Sequence, residues 1–360
     1  MSNVISTSTR PIRRVAVALS VLGLLIAAGC SVGAEPGGTA KSEGPVIGVA
    51  MKTQQERRWA FDFAAMEKQV QAMGGTVLVQ WANNDAEAQT EQVENLLSQG
   101  IDALILVPVD DKAAGTSANA ARAEGVPVIS YGVAVQGVPV DYMVLRDNHA
   151  VGKLQAEAAL AFAPTGNYAI ISGDPGNDVA RHIHEAVIET LKGSAPSIVY
   201  DEFTKKWDPT LALSEAENIL STNDDNIAAI LTANDGMAVS AVQALKGRNL
   251  AGKVFVSGMN ADPANLKLVD EGAQTMTVWT PIDELGKLAG EVAVKLAKGE
   301  KVEPQTMVDN GSGAEIPAVE AQVVPITKDK ICEFITKIAP EGWIKASDVY
   351  DDPATSCPNG

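Results

Sequence analysis

VIGVAMKTQQERRWAFDFAAMEKQVQAMGGTVLVQWANNDAEAQTEQVENLLSQGIDALILV, residues 46–107, alternates short β-branched and aliphatic runs with longer stretches of a different period. The runs VIGVAM (46–51), TVLVQ (76–80) and ALILV (103–107) are apolar almost without a break. Between them, AFDFAAMEKQVQAMG and AQTEQVENLLSQG place apolar residues three and four apart and end on glycine, as helices do at their C-caps. Strands that are apolar on both faces, separated by amphipathic helices, build parallel sheets covered on both sides. Outward from this stretch the alternation continues through VPVIS (126–130), YMVL (142–145), YAIIS (168–172), SIVY (197–200), AAILT (228–232), KVFVSG (253–258) and TMTVW (275–279). So many strands exceed what one open sheet of this kind carries. The pattern therefore predicts an α/β fold of two doubly wound parallel-sheet lobes.

Before the first strand the composition changes. Arg10, Arg13 and Arg14 precede an uncharged run from Val15 to Ala28, in the basic, apolar, small-residue order of a signal peptide. The ending Ala27-Ala28-Gly29-Cys30 resembles a bacterial lipobox, so residues 1–29 are expected to be a cleaved signal peptide and Cys30 the lipidated N-terminus. Residues 30–44 are rich in Gly, Ser and Ala, lack large apolar side chains, and read as a flexible tether. No later segment reaches membrane-spanning length, so the lipid is the only membrane contact expected. The formal charge is −17, and loss of the three leader arginines makes the rest more acidic still. Such a surface repels nucleic acid. Of the other cysteines, Cys332 and Cys357 stand in the C-terminal part; in an exported chain the simplest expectation is a disulfide.

The functional signal lies where the strands end, because ligands of open parallel sheets bind beyond the carboxyl ends of the strands. Those junctions read MKTQQERRW, QWANND, LRDN, SGDPGND, TKKWDP, TANDG, GMNAD and VWTP. Asp and Asn serve there as turn and cap residues. Four of the five tryptophans, Trp59, Trp81, Trp207 and Trp279, have no such role, in a chain with only 4% aromatic residues. Indole faces beside amides, carboxylates and guanidinium groups suit a pyranose-like ring. Its C–H faces stack on indole, and its hydroxyls need donors and acceptors. No G-x-S-x-G motif, metal-ligand quartet or phosphate loop is present, so neither an enzyme nor a cofactor or metal site is expected. His182 and His184, two residues apart, are poorly spaced for a metal and read as surface residues.

From about residue 46 to 329 the chain resembles the type I periplasmic sugar-binding proteins of ABC importers, most of all the D-xylose-binding branch. The stretches that carry the likeness are RRW (57–59), ENLLSQGIDALILVP (94–108), RDN (146–148), KKWDP (205–209), TAND (232–235), SGMNAD (257–262) and QTMTVWTPI (274–282). The resemblance implies two lobes joined by three hinge strands, with ligand in the cleft between them. It divides the chain into an N-lobe (45–145 with 281–312), a C-lobe (146–280 with 313–352) and a tail (353–360). It further implies an extracytoplasmic binding protein, monomeric, that delivers a monosaccharide-like ligand to the membrane subunits of an ABC importer. A receptor reporting to a membrane signalling partner is the alternative.

Carried over residue by residue, the family's ligand contacts would fall on Arg58 and Trp59 at the start of the first helix, and on Trp207 from the opposite lobe. Asp147 or Asn148 would contact hydroxyls at the first crossing, with Arg181, Asn234 and Asn260 contributing from the C-lobe. Lys52 stands where the xylose binders have an acid, Gly132-Val133 where sugar binders carry Asp-Arg, Asn260 for an aspartate and Thr280 for a lysine. These departures leave the ligand open among a neutral pentose or hexose, a polyol and a sugar acid.

Overall fold

Strand β1 (Val46–Met51) lies between β2 (Thr76–Trp81) and β3 (Ala103–Leu106) and is parallel to both, in a computed structural model that describes residues 44–358. The signal peptide, Cys30 and all but the last residue of the tether lie outside the described residues. The crossover helices are α1 (Arg58–Ala72), α2 (Ala86–Ser98) and α3 (Ala114–Ala123), and β4 (Val128–Tyr131) and β5 (Tyr142–Arg146) extend the sheet in parallel. The near-continuous apolar runs follow from burial on both faces. Ile47, Val49 and Met51 share a core with Met66 and Val70 of α1, whereas Ala50 faces Val93 and Leu96 of α2. Asp85 starts α2 by accepting from the Glu87 and Ala88 amides.

A second, all-parallel sheet has the order β7-β6-β8-β9, from β6 (Asn167–Ser172), β7 (Ser197–Phe203), β8 (Ala229–Thr232) and β9 (Phe255–Val256). Its helices are α4 (Asn148–Phe162), α5 (Asp178–Leu191), α6 (Pro209–Thr222), α7 (Asp235–Gly247) and α8 (Pro263–Asp270). After β10 (Met276–Trp279), helix α9 (Ile282–Ala297) returns to the first lobe, where Leu285, Ala289 and Val292 pack with Met66 and Val70.

Two features depart from the sequence expectation. The first sheet is mixed, because β11 (Thr306–Asp309) pairs antiparallel with β12 (Glu315–Ala321). And β12, which falls in the 313–352 stretch expected in the C-lobe, runs parallel to β5 in the first sheet. The reason is its alternation: Ile316 and Ala318 enter one core of that lobe and Val319 the other. The last crossing therefore follows Ala321, where β13 (Val324–Thr327) pairs antiparallel with β10. Together with those after β5 and β10, it makes three crossings. The Asp147 amide donates to the Ala321 carbonyl at 3.1 Å, tying the first crossing to the third.

Cys332 and Cys357 are joined in a disulfide, with Cα atoms 5.3 Å apart. Between them Trp343 is fully buried, edge-on to Phe61 of α1 and to Trp279, and its Nε1 donates to the Ala261 carbonyl at 2.9 Å. Arg57 lies against both the Phe61 and Trp343 rings and donates to the carbonyls of Gly342 and Trp343. The C-terminal segment is thus packed core, not an appendage.

Candidate ligand-binding cleft

The strand ends of the two lobes face one another around a small cavity. From the N-lobe come Lys52 after β1, Glu56, Arg58 and Trp59 at the start of α1, Gly132 after β4, and Arg146 at the end of β5. From the C-lobe come Asn177 at the cap of α5, Trp207 after β7 and Met259 after β9. A wider opening shares Lys52 and Trp207 with this cavity and is rimmed by Asp85, Glu87, Asp110 and Asp174.

The two tryptophans come from opposite lobes, and each rests on a glycine. A side chain at Gly132 would meet the Trp59 ring at 3.3 Å, and one at Gly173 would lie 2.3 Å from the Trp207 ring. Lys206 and Trp207 are both left-handed, with φ of 58° and 56°, a conformation that costs a bulky residue energy and is found where a site demands it. The Asp174 carboxylate accepts from the Lys206 amide and helps hold this turn. Lys52 Nζ lies 5.6 Å from the Trp207 ring centre, and the Arg58 guanidinium 4.4 Å from that of Trp59.

Three cations in this wall are almost wholly buried: Lys52 is 4%, Arg58 2% and Arg146 4% exposed. Arg58 is paired, its Nε and Nη2 donating to Asp62 at 3.2 and 3.1 Å, and the Tyr131 hydroxyl also donates to that carboxylate. Lys52 and Arg146 have no ion pair or side-chain hydrogen bond among the described residues. Burial lowers the Lys52 pKa, opposed by Glu56 and Asp174; burial and then the Arg58 charge lower that of Arg146 to about 9.

The lobes are drawn together across the cleft. The Asp111 amide donates to the Gly176 carbonyl at 3.0 Å, and Asp111 is ion-paired with Arg181. The Ala134 amide donates to Asp178, while Val133 of the N-lobe packs into the C-lobe core. Burial raises the Asp178 pKa to about 6.

Of the residues expected at the site, Lys52, Arg58, Trp59 and Trp207 line the cavity. Asp147 instead caps α4 by accepting from the Ala150 amide, and Asn234 caps α7 by accepting from Met237. Arg181 serves the inter-lobe pair with Asp111. Asn148 and Asn260 are buried with unbonded Oδ1 atoms, two residues and one residue from the lining residues Arg146 and Met259. Glu56, Asn177 and above all Arg146 line the cavity without having been singled out; the strand-end rule already covers Arg146, the last residue of β5. Trp81 packs on Phe63 and Trp279 on Phe334, so neither tryptophan reaches the cavity wall.

Two α/β lobes, three crossings and a small aromatic and polar cavity at facing strand ends define a ligand-binding protein with its site between the lobes. More specifically, the chain belongs to the periplasmic binding proteins: the family's periplasmic binding protein domain matches residues 47–301. It is 33% identical to the D-xylose-binding periplasmic protein of Escherichia coli K12, over 84% of this chain and 92% of that one. To the D-xylose-binding periplasmic protein of Haemophilus influenzae it is 34% identical, over 87% and 94%. Among solved structures, a carbohydrate transporter solute-binding protein of Chloroflexus aurantiacus in complex with D-glucose matches with a TM-score of 0.77. That likeness is at 27% identity and covers 85% of this chain and 98% of that one.

Proposed function

We propose that the protein captures one monosaccharide-like ligand outside the cytoplasm and delivers it, as a monomer, to the membrane subunits of an ABC importer. The observation that carries this reading is the cavity wall, in which Trp59 and Trp207 come from opposite lobes amid buried polar side chains. In this reading the two indoles take the ring faces, Lys52, Arg58 and Arg146 donate to ligand oxygens, and Asn148 and Asn260 accept from hydroxyls. Such a ligand touches both lobes at once, so it favours the closed arrangement through contacts that only that arrangement offers. Cys30, at the end of the leader-like run, is the proposed lipid attachment site.

The test is a melting screen of the purified full chain against D-xylose, D-glucose, D-ribose, myo-inositol and sugar acids. At least one is expected to raise the melting temperature in a concentration-dependent way, as ligand linkage requires; no shift with any of them contradicts the reading. Membrane fractionation of a Cys30→Ser chain tests the anchor: release into the soluble fraction is expected, and unchanged membrane association contradicts it.

A further inference from the structure

The polar atoms left over in the cavity wall are unbalanced in kind. Trp59 Nε1, Arg146 Nε, Asn177 Nδ2 and Trp207 Nε1 are buried and unbonded among the described residues, and all four are N–H donors. Asn177 is oriented by its own cap, its Oδ1 accepting from the Val179 amide, so its amino group is the free end. Lys52 adds an ammonium group 5.6 Å from the Trp207 ring centre, with no hydrogen bond or ion pair among the described residues. Against these donors the lining offers one carboxylate, Glu56. The Asp62 carboxylate is already engaged by Arg58 and Tyr131.

A neutral sugar does not complete such a wall. Each hydroxyl brings a proton as well as lone pairs, and a fully hydroxylated ring would ask a donor-rich surface for more acceptors than Glu56, Asn148 and Asn260 supply. A carboxylate only accepts, has about four lone-pair sites, and matches a guanidinium fork in charge and geometry. Buried cations left unpaired are costly, and an anion arriving with the ligand removes that cost.

Building on the proposed capture of a monosaccharide-like ligand, we infer that this ligand is a sugar acid whose carboxylate is held by Arg146 and Lys52. The rest of the ligand stays polyhydroxylated, because the buried Oδ1 atoms of Asn148 and Asn260 remain to accept hydroxyl protons. Two unpaired lining cations face one lining carboxylate, Glu56, with Asp174 also acting on Lys52, a balance that suits a monoanion better than a phosphate dianion. Acidic residues at the outer opening, Asp85, Glu87, Asp110 and Asp174, oppose anion approach. They act at long range and are screened by salt, so they bear on the rate of entry more than on affinity inside the cavity.

The test is calorimetric titration of the full chain with matched pairs: D-xylonate and D-xylose, D-glucuronate and D-glucose, with D-glucose 6-phosphate as a third arm. We expect at least one acid to bind tenfold or more tightly than its neutral partner. Arg146→Gln is expected to weaken binding of the acid at least tenfold more than binding of its neutral partner, so that the preference is lost. If Arg146→Gln does not fold, Lys52→Gln is read in its place, and the wild-type ratio needs no variant. Neutral sugars binding as tightly as their acids would overturn this inference and leave sugar capture standing. Tighter binding of the phosphate would overturn the carboxylate assignment. Absence of binding by every compound would remove both readings.

Discussion

Gly173 shows how much of the site rests on an atom that is missing. Its Cβ position lies within 2.4 Å of three carbons of the Trp207 indole, so the ring can lie flat against the backbone only because no side chain is there. Gly173→Ala therefore displaces Trp207 from the cavity wall and is expected to weaken ligand binding about tenfold, in line with overpacking costs of about 1–3 kcal/mol. In a Trp207→Ala background the same change should cost almost nothing further, because the clash is gone. Calorimetric titration of the two single variants and the double variant checks this, and additive losses would show that Gly173 acts elsewhere. Nothing in SGDPGND announces the contact, since the ring arrives from a turn more than thirty residues later. Arg146 was hidden for a related reason. In LRDN the polar pair Asp147-Asn148 draws attention as turn chemistry, yet Asp147 spends its carboxylate on the α4 amide and the arginine enters the cavity.

Between elements, the first residue of α7 does unusual duty. Asp235 is fully buried; its Oδ1 accepts from Thr277 of β10 at 2.8 Å, and its Oδ2 from the Asp262 amide at the cap of α8. One carboxyl thus fastens two helices to the strand that leads into the second crossing. Burial, reinforced by the charge of Asp262, raises its pKa from 3.8 to about 7. A folded-state pKa above the unfolded value means that the folded form holds the proton more tightly. Its contribution to stability is full below about pH 4 and is lost as pH rises through 7. Asp235→Asn cannot ionise, so the variant's melting temperature relative to wild type should climb between pH 5 and pH 8. A difference independent of pH would contradict the assignment. Regular elements such as β1 to β5 were legible because burial on both faces leaves an unbroken apolar run. β12 was not, because Pro317 and two glutamates interrupt EIPAVEA. The core role of Trp343 was not legible either, because it depends on Phe61 and Trp279, which no local pattern places beside it.

In the whole molecule, the two-lobe architecture and the position of the cleft follow from alternation and from strand ends, and both could be read along the chain. The division of labour among the polar residues could not, because it depends on how the lobes meet. Arg181 has the character of a ligand contact, yet it pairs with Asp111 across the cleft, seventy residues away. Closure, in this account, is held partly by such protein contacts and partly by a ligand gripped between Trp59 and Trp207. The most direct measurement is calorimetric titration of wild type, Trp59→Ala and Trp207→Ala with the tightest ligand from the melting screen. Each truncation is predicted to cost roughly 2–4 kcal/mol of binding, as for a well-packed aromatic anchor, whichever lobe it comes from. Wild-type affinity in both variants would contradict capture between the two lobes and place the site elsewhere.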